Sequence, residues 1–145
     1  MQVRHILRVK GHDIIAIQSG ATLGEAAQIL SDKKIGALVV KDKTGKLAGI
    51  FSERDLVHAI AAAGAVALSE NVERHMTKAL QTCVESDAVE SIMEVMTVGR
   101  FRHVPVLDEN QQLCGMVSIG DIVKTRIAET VSEAAALRDY ISATA

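Results

Sequence analysis

Two short stretches carry the side chains best placed to do chemistry. Gly49-Ile50-Phe51-Ser52-Glu53-Arg54-Asp55 sets a hydroxyl and a carboxylate three positions apart, with an arginine between them. At a shift of 66 positions, Gly115-Met116-Val117-Ser118-Ile119-Gly120-Asp121 repeats the glycine, two apolar residues, the serine and the aspartate. A carboxylate accepts both protons of a cis-diol, and the first N–H groups of a helix are free to meet an anion. Each stretch is therefore suited to hold a sugar and the phosphate attached to it. The same spacing is also a good helix start, with serine as N-cap and an acidic residue in the first turn. Both uses fit the residues. A second cluster, Arg100, Arg102 and His103, puts three cationic or titratable groups within four positions, which suits either a phosphate or a solvated strand end.

The elements around these stretches come in a repeating order. Ile14 to Ile17 is a short, nearly continuous apolar run, which predicts a buried strand. Thr22 and Glu25 form a capping box ahead of Leu23, Ala26, Ala27, Ile29 and Leu30, a helical stripe that should stop near Lys34. Ala37 to Val40 predicts a second strand, Asp42-Lys43-Thr44-Gly45 a turn, and Leu47 to Phe51 the hairpin partner. Ser52 then opens a helix through Leu56, Val57, Ile60 and Ala61, with an alanine-rich continuation to Ala67 that Gly64 weakens.

The order then restarts. Leu80 to Val84 predicts a strand, Ser86-Asp87 with Glu90 a helix start, and Val89, Ile92, Met93 and Met96 the stripe of that helix. His103 to Leu107 is the next strand, in which Pro105 argues for an edge or an irregular position. Leu113 to Val117 returns, and beyond Asp121 a long helix runs through Ile122, Ile127, Val131, Ala134, Leu137 and Ile141. Val40, Asp42, Leu47, Gly49, Ser52, Asp55 and Val57 all meet identical residues at the shift of 66. The expected organisation is a first repeat over 1–67 with its N-terminal lead-in, a connector over 68–79, and a second repeat over 80–145 with the C-terminal helix. One repeat alone would be a marginal domain, and two sharing a core is the economical solution.

Composition narrows the classes of function. The chain has 145 residues, 48% of them hydrophobic and 23% charged, which is ordinary globular composition. A formal charge of −2, one Tyr, two Phe and no Trp argue against a nucleic-acid binder, which usually shows a basic face or stacking aromatics. No apolar run approaches the roughly 18 residues of a membrane span, and the N-terminal apolar group is too short for a signal peptide. Cys83 and Cys114 lack metal or redox spacing and read as reduced thiols, so the expected compartment is the cytoplasm. No Gly-x-Ser-x-Gly elbow, Walker loop, dinucleotide fingerprint or metal-spaced cluster occurs, so the expectation is no enzyme and no catalytic cofactor.

A strand–helix–strand–strand–helix unit present twice, with Gly-apolar-apolar-Ser-x-x-Asp at its last turn, resembles the cystathionine-beta-synthase (CBS) domain. Two in tandem resemble a CBS pair, or Bateman module. The resemblance runs from about Ile14 to Ile127, and Val72 to Thr77 is similar to the family's lead into a second repeat. It implies an α/β (α+β) fold of two β-α-β-β-α repeats related by pseudo-two-fold symmetry, plus the extended C-terminal helix. It also implies two clefts between the repeats that take adenosine ligands such as AMP, ATP, NAD(H) or S-adenosylmethionine.

On that resemblance Asp55 and Asp121 are the ribose residues, supported by Ser52 and Ser118. The Asp121 cleft would draw its adenine pocket from Lys10, Ile14, Ile15, Ile35, Gly36 and Met116, and its phosphate contacts from Arg102 and His103, with Arg100 nearby. The Asp55 cleft would use Ile50, Met76, Thr77, Leu80, Gln81 and Phe101, with Arg54 and Lys34 for phosphate. The clefts are unequal, since Gly120 replaces Arg54 and Arg102 replaces Gly36. The implied role is a free-standing nucleotide sensor, dimeric through its exposed helices, that reports to an unknown regulated protein. The competing expectation is an interaction adaptor with no physiological nucleotide.

Overall fold

Apolar runs closed by strong turn signals assemble here into two sheets of three strands each. The computed structural model describes residues 1–144. Its order is α1 (Val3–Lys10), β1 (Ala16–Gln18), α2 (Leu23–Lys33), β2 (Ala37–Lys41), β3 (Leu47–Ser52), α3 (Glu53–Ala63), β4 (Cys83–Val84), α4 (Val89–Gly99), β5 (His103–Leu107), β6 (Leu113–Ser118) and α5 (Ile119–Thr144). Short 3-10 segments at Gly64–Ser69 and Val72–Arg74 lie between α3 and β4. Each sheet keeps chain order, its first pair parallel and its second antiparallel. Two successive β-α-β-β-α repeats with a long C-terminal helix make a mixed α/β fold.

By contact the chain divides into two units, Asp13–Gln81, and Met1–His12 together with the chain from Thr82 onward. In the first, Thr22 caps α2 by accepting from Glu25 N at 3.2 Å, and the helix ends at Lys34 in the left-handed region. Leu23, Ala26 and Leu30 then face Leu38, Val40 and Phe51 of the sheet, with Ala59, Ala67 and Val72 closing the core. In the second, Val89, Ile92 and Met96 of α4 face Val104, Val106 and Val117, and Val3, Ile6 and Leu7 of α1 complete it.

Each sheet is covered by the segment that precedes the other repeat in sequence. Val72 N donates to Ala21 O at 2.8 Å, Glu73 N to Ser19 O at 3.2 Å, and Leu23 N to Glu70 O at 2.9 Å. At matching places Val3 N donates to Asp87 O, Arg4 N to Glu85 O, and Val89 N to Met1 O, all at 2.9 Å. The lead-in of the second repeat thus packs on the first sheet, and α1, read from sequence as a short apolar group before a turn, packs on the second. Its apolar residues fall at i, i+3 and i+4, one face of a helix two turns long.

Other local expectations shift for identifiable reasons. Pro105 lies in the central strand of its sheet, not at an edge. Its counterpart Val39 donates its N–H to Ile15 O at 3.1 Å, a bond a proline cannot make. β5 has a register shift between Val106 and Leu107, matched in β2 between Val40 and Lys41, and β4 pairs through two residues where β1 pairs through three. The strand expected from Leu80 accordingly starts at Cys83, and the one expected from Ile14 starts at Ala16. Asp87 does not cap α4; its carboxylate accepts from Val84 N at 2.9 Å and turns the corner into the helix. The alanine-rich stretch leaves the α-helix at Gly64, whose φ is 73°, and continues as a 3-10 segment.

A glycine in the last strand of each sheet sits against its lead-in. A Cβ on Gly49 would lie 2.7 Å from Thr77 O and 2.8 Å from Met76 Sδ, and one on Gly115 would lie 2.8 Å from Leu7 Cδ2. Thr77 O is fixed backbone, because it accepts from Ile50 N at 3.0 Å, whereas the end of Leu7 can turn. We expect Gly49→Ala to destabilise by about 2–4 kcal/mol and Gly115→Ala by about 1–2 kcal/mol in urea titrations followed by circular dichroism. Equal losses would contradict this account.

Candidate functional site

Each Ser-x-x-Asp turn forms a reciprocal cap. Asp55 N donates to Ser52 Oγ at 3.3 Å, while Ser52 N and Ser52 Oγ donate to Asp55 Oδ2 at 2.9 and 3.1 Å. Asp121 N donates to Ser118 Oγ at 3.2 Å, and Ser118 N donates to Asp121 Oδ2 at 2.8 Å. Both carboxylates are half-buried, and in both the bonds converge on Oδ2. A carboxylate oriented through one oxygen keeps acceptor capacity on the other, as a diol contact requires. Capping and ligand binding are therefore compatible uses of one side chain.

Backbone bonds bring the segment before each middle strand to the same turn. Glu53 N donates to Gly36 O at 3.0 Å, and Ile119 N donates to Arg102 O at 2.8 Å. Lys34-Ile35-Gly36 is thereby held at the start of α3, and Arg100-Phe101-Arg102 at the start of α5. Lys34 and Arg100 occupy the same left-handed position, with φ of 54° and 57°. Lys34, Arg54, Arg100 and Arg102 are exposed, and His103 is half-buried. The ring of Phe101 lies over Gly99, where a Cβ would come within 2.4 Å of Cε2.

The residues expected around adenine fall on both units. In the unit of Asp55, Ile50 is buried and bridges Thr77, Met76 packs on Gly49, Leu80 is half-buried and Gln81 is exposed. Ile14, Ile15, Ile35 and Gly36, grouped by the resemblance with Asp121, lie on this same unit and are half-buried. Phe101, grouped with Asp55, lies on the unit of Asp121. Lys10 and Met116 share the unit of Asp121, in an arrangement that residue spacing does not reveal. The Lys10 ammonium donates to Asp121 Oδ2 at 2.7 Å and to Met116 O at 2.8 Å. Spacing alone does not link positions so far apart, although the resemblance groups Lys10 and Met116 with Asp121; the packing of α1 on the second sheet makes the contact.

This pair sets the electrostatics of the second turn. Burial raises the Asp121 pKa, but the hydrogen bond from Lys10, the Ser118 N–H and the lysine charge outweigh it, so the carboxyl lies below the usual range. Burial pushes the Cys83 thiol up to about 12 and also raises Cys114, so both are protonated and poor nucleophiles near neutrality. Among the described residues no group of His, Cys, Asp and Glu is arranged to hold a metal. No helix is long and apolar enough to cross a membrane.

Comparison with known proteins agrees with the architecture. The family described as the CBS domain matches residues 3–62 and 70–128. A crystal structure of a CBS-domain-containing protein from Agrobacterium tumefaciens superposes with a TM-score of 0.84 at 47% identity, covering 87% of this chain and 99% of that one. The CBS domain pair of protein MJ0100, solved with 5-methylthioadenosine and S-adenosyl-L-methionine, has a TM-score of 0.78 at 28% identity, covering 89% of this chain and 98% of that one. A mitochondrial CBS-domain-containing protein of Arabidopsis thaliana is 37% identical over 125 residues, 83% of this chain and 60% of the relative. The chain spans about two thirds or less of the curated relatives it matches, and 24% of the gamma-3 subunit of AMP-activated protein kinase from Sus scrofa, to which it is 26% identical.

The Lys10–Asp121 pair leads to a pH signature. A carboxyl held below its unfolded value contributes stability that is complete above about pH 4 and is lost as pH falls through the folded value. The wild type should therefore be more stable than Lys10→Met at pH 7, and the gap should close below about pH 4 in urea titrations across pH. A gap that persists at pH 2 would assign the effect to packing.

Proposed function

The chain belongs to the CBS-domain family, with two such domains in tandem, and on that premise we propose that it is a non-catalytic regulatory module that binds an adenosine nucleotide. The observation that carries this reading is the pair of Ser-x-x-Asp turns, in which a backbone N–H fixes one oxygen of each aspartate. Asp55 and Asp121 hold the ribose hydroxyls, with Ser52 and Ser118 behind them. Arg54 and Lys34 take phosphate at the first turn, and Arg100, Arg102 and His103 at the second. Within the unit of Asp55, adenine rests among Ile50, Met76, Thr77, Leu80 and Gln81, and within the unit of Asp121, beside Lys10 and Met116. AMP, ATP and NAD(H) are the ligands of choice. The methylthioadenosine and S-adenosylmethionine bound by the MJ0100 pair support the adenosine class.

The module works in the cytoplasm as a homodimer and passes ligand state to a regulated protein. Its ligand shifts the population of two arrangements, to the extent that it binds them unequally. Exposed Val57 and Ile60 on α3, and Val123 and Ile127 on α5, are the apolar residues offered to a second copy. A second reading, an interaction adaptor without a nucleotide, is favoured by one feature: every residue of α5 from Thr130 to Thr144 is exposed.

Calorimetric titration with AMP, ATP, NAD, NADH and S-adenosylmethionine separates the two. Saturable binding is expected. Asp55→Ala and Asp121→Ala should each weaken one site by roughly tenfold to a hundredfold, the value of a charge-assisted hydrogen bond. Absence of binding to all five would overturn the sensing reading and leave the adaptor. Sedimentation at micromolar concentration should give twice the chain mass.

A further inference from the structure

The two turns differ in their immediate surroundings. Asp121 Oδ2 is engaged by the Lys10 ammonium, which also caps Met116 O, so the acceptor groups of the second turn are already neutralised by the chain itself. The lysine side chain is 36% exposed and the aspartate 17%, so the pair is partly exposed. In the unit of Asp55 the lead-in leaves helical geometry after Val72–Arg74, and Thr77 pairs with Ile50. Asp55 has no ion-pair partner among the described residues, and its hydrogen bonds come from Ser52 alone. Arg54 beside it is exposed and adds a cation without occupying the carboxylate.

We infer that Lys10 is a specificity-determining residue of the Asp121 turn, selecting ligands that carry an anion next to the ribose and disfavouring a neutral nucleoside. The inference rests on the sensing reading above. A diol that bonds both oxygens of Asp121 finds Oδ1 open but must share Oδ2 with the ammonium, which weakens the ion pair. A phosphate on the ligand supplies a new charge partner, and a neutral nucleoside does not. At Asp55 no ion pair has to be weakened, so the same nucleoside meets no such cost. The lead-ins create the difference: α1, seated on the second sheet, brings Lys10 to Asp121, whereas the segment seated on the first sheet brings no cation to Asp55 among the described residues.

The test compares AMP with adenosine by calorimetry in Asp55→Ala, which leaves the Asp121 turn to be read by itself, with and without Lys10→Met. A partly exposed ion pair is worth a factor of about two to five. Removing Lys10 should therefore tighten adenosine about two- to fivefold while weakening AMP. Lys10→Gln should reproduce the change, and Lys10→Arg should keep the preference for AMP. A lysine that merely attracts phosphate would weaken AMP and leave adenosine unchanged, and that result overturns the inference. Adenosine binding weakened along with AMP would assign Lys10 a structural role and overturns it equally. If neither ligand binds wild type or Asp55→Ala saturably, the sensing reading falls, and the inference with it. Binding of both with an unchanged ratio removes the inference alone.

Discussion

Close approach between a lead-in segment and a glycine in the last strand governs each unit. Thr77 O and Met76 Sδ occupy the place where a side chain on Gly49 would stand, and Leu7 does the same at Gly115. Once the lead-in is seated there, its backbone bonds to the loop before the helix, at Ala21 and Asp87, complete the layer that covers the sheet. The strand that carries the glycine then ends at the serine that caps the next helix. The position of the candidate ribose carboxylate is thus a downstream result of backbone contact, three elements deep. That ordering explains why the glycine recurs with the serine and aspartate in both copies.

The repeated order of strands and helices was legible from residue types because each signal was local. The Thr22–Glu25 capping box, the Asp42 to Gly45 turn and the continuous apolar runs of the hairpins act over four to six positions and survive in the structure. What could not be read came from distance. The place of α1 on the second sheet, and with it the Lys10–Asp121 bond, depends on chain crossing and leaves no mark in spacing. Pro105, expected at an edge or an irregular position, lies in the central strand next to a register shift between Val106 and Leu107. A proline does disturb a ladder, and its partner β4 pairs through two residues.

At the candidate site the same distinction applies. Ser52, Asp55, Ser118 and Asp121 were found because they repeat, and repetition is visible in one dimension. The cations were found by clustering, which says nothing of which carboxylate they accompany. Within the second unit the Arg102 carbonyl is tied to the first residue of α5, so the basic segment and the aspartate turn move as one piece. The corresponding piece in the first unit has Gly36 in place of Arg102 and an arginine inside the turn. The two turns therefore carry their basic residues at different sequence positions, inside the turn in the first unit and before the middle strand in the second.

The seating of the lead-ins has a consequence for how such a chain can be divided. The first sheet and the segment seated on it lie in one contiguous stretch, Asp13–Gln81, whereas the second sheet is covered by α1 from the far end of the chain. Cut after Gln81, the chain from Thr82 onward would present an open groove where Val3, Ile6 and Leu7 pack. Supplied as a separate peptide, α1 would bind at a cost in translational freedom; carried on the same polypeptide, the contact is internal and insensitive to dilution.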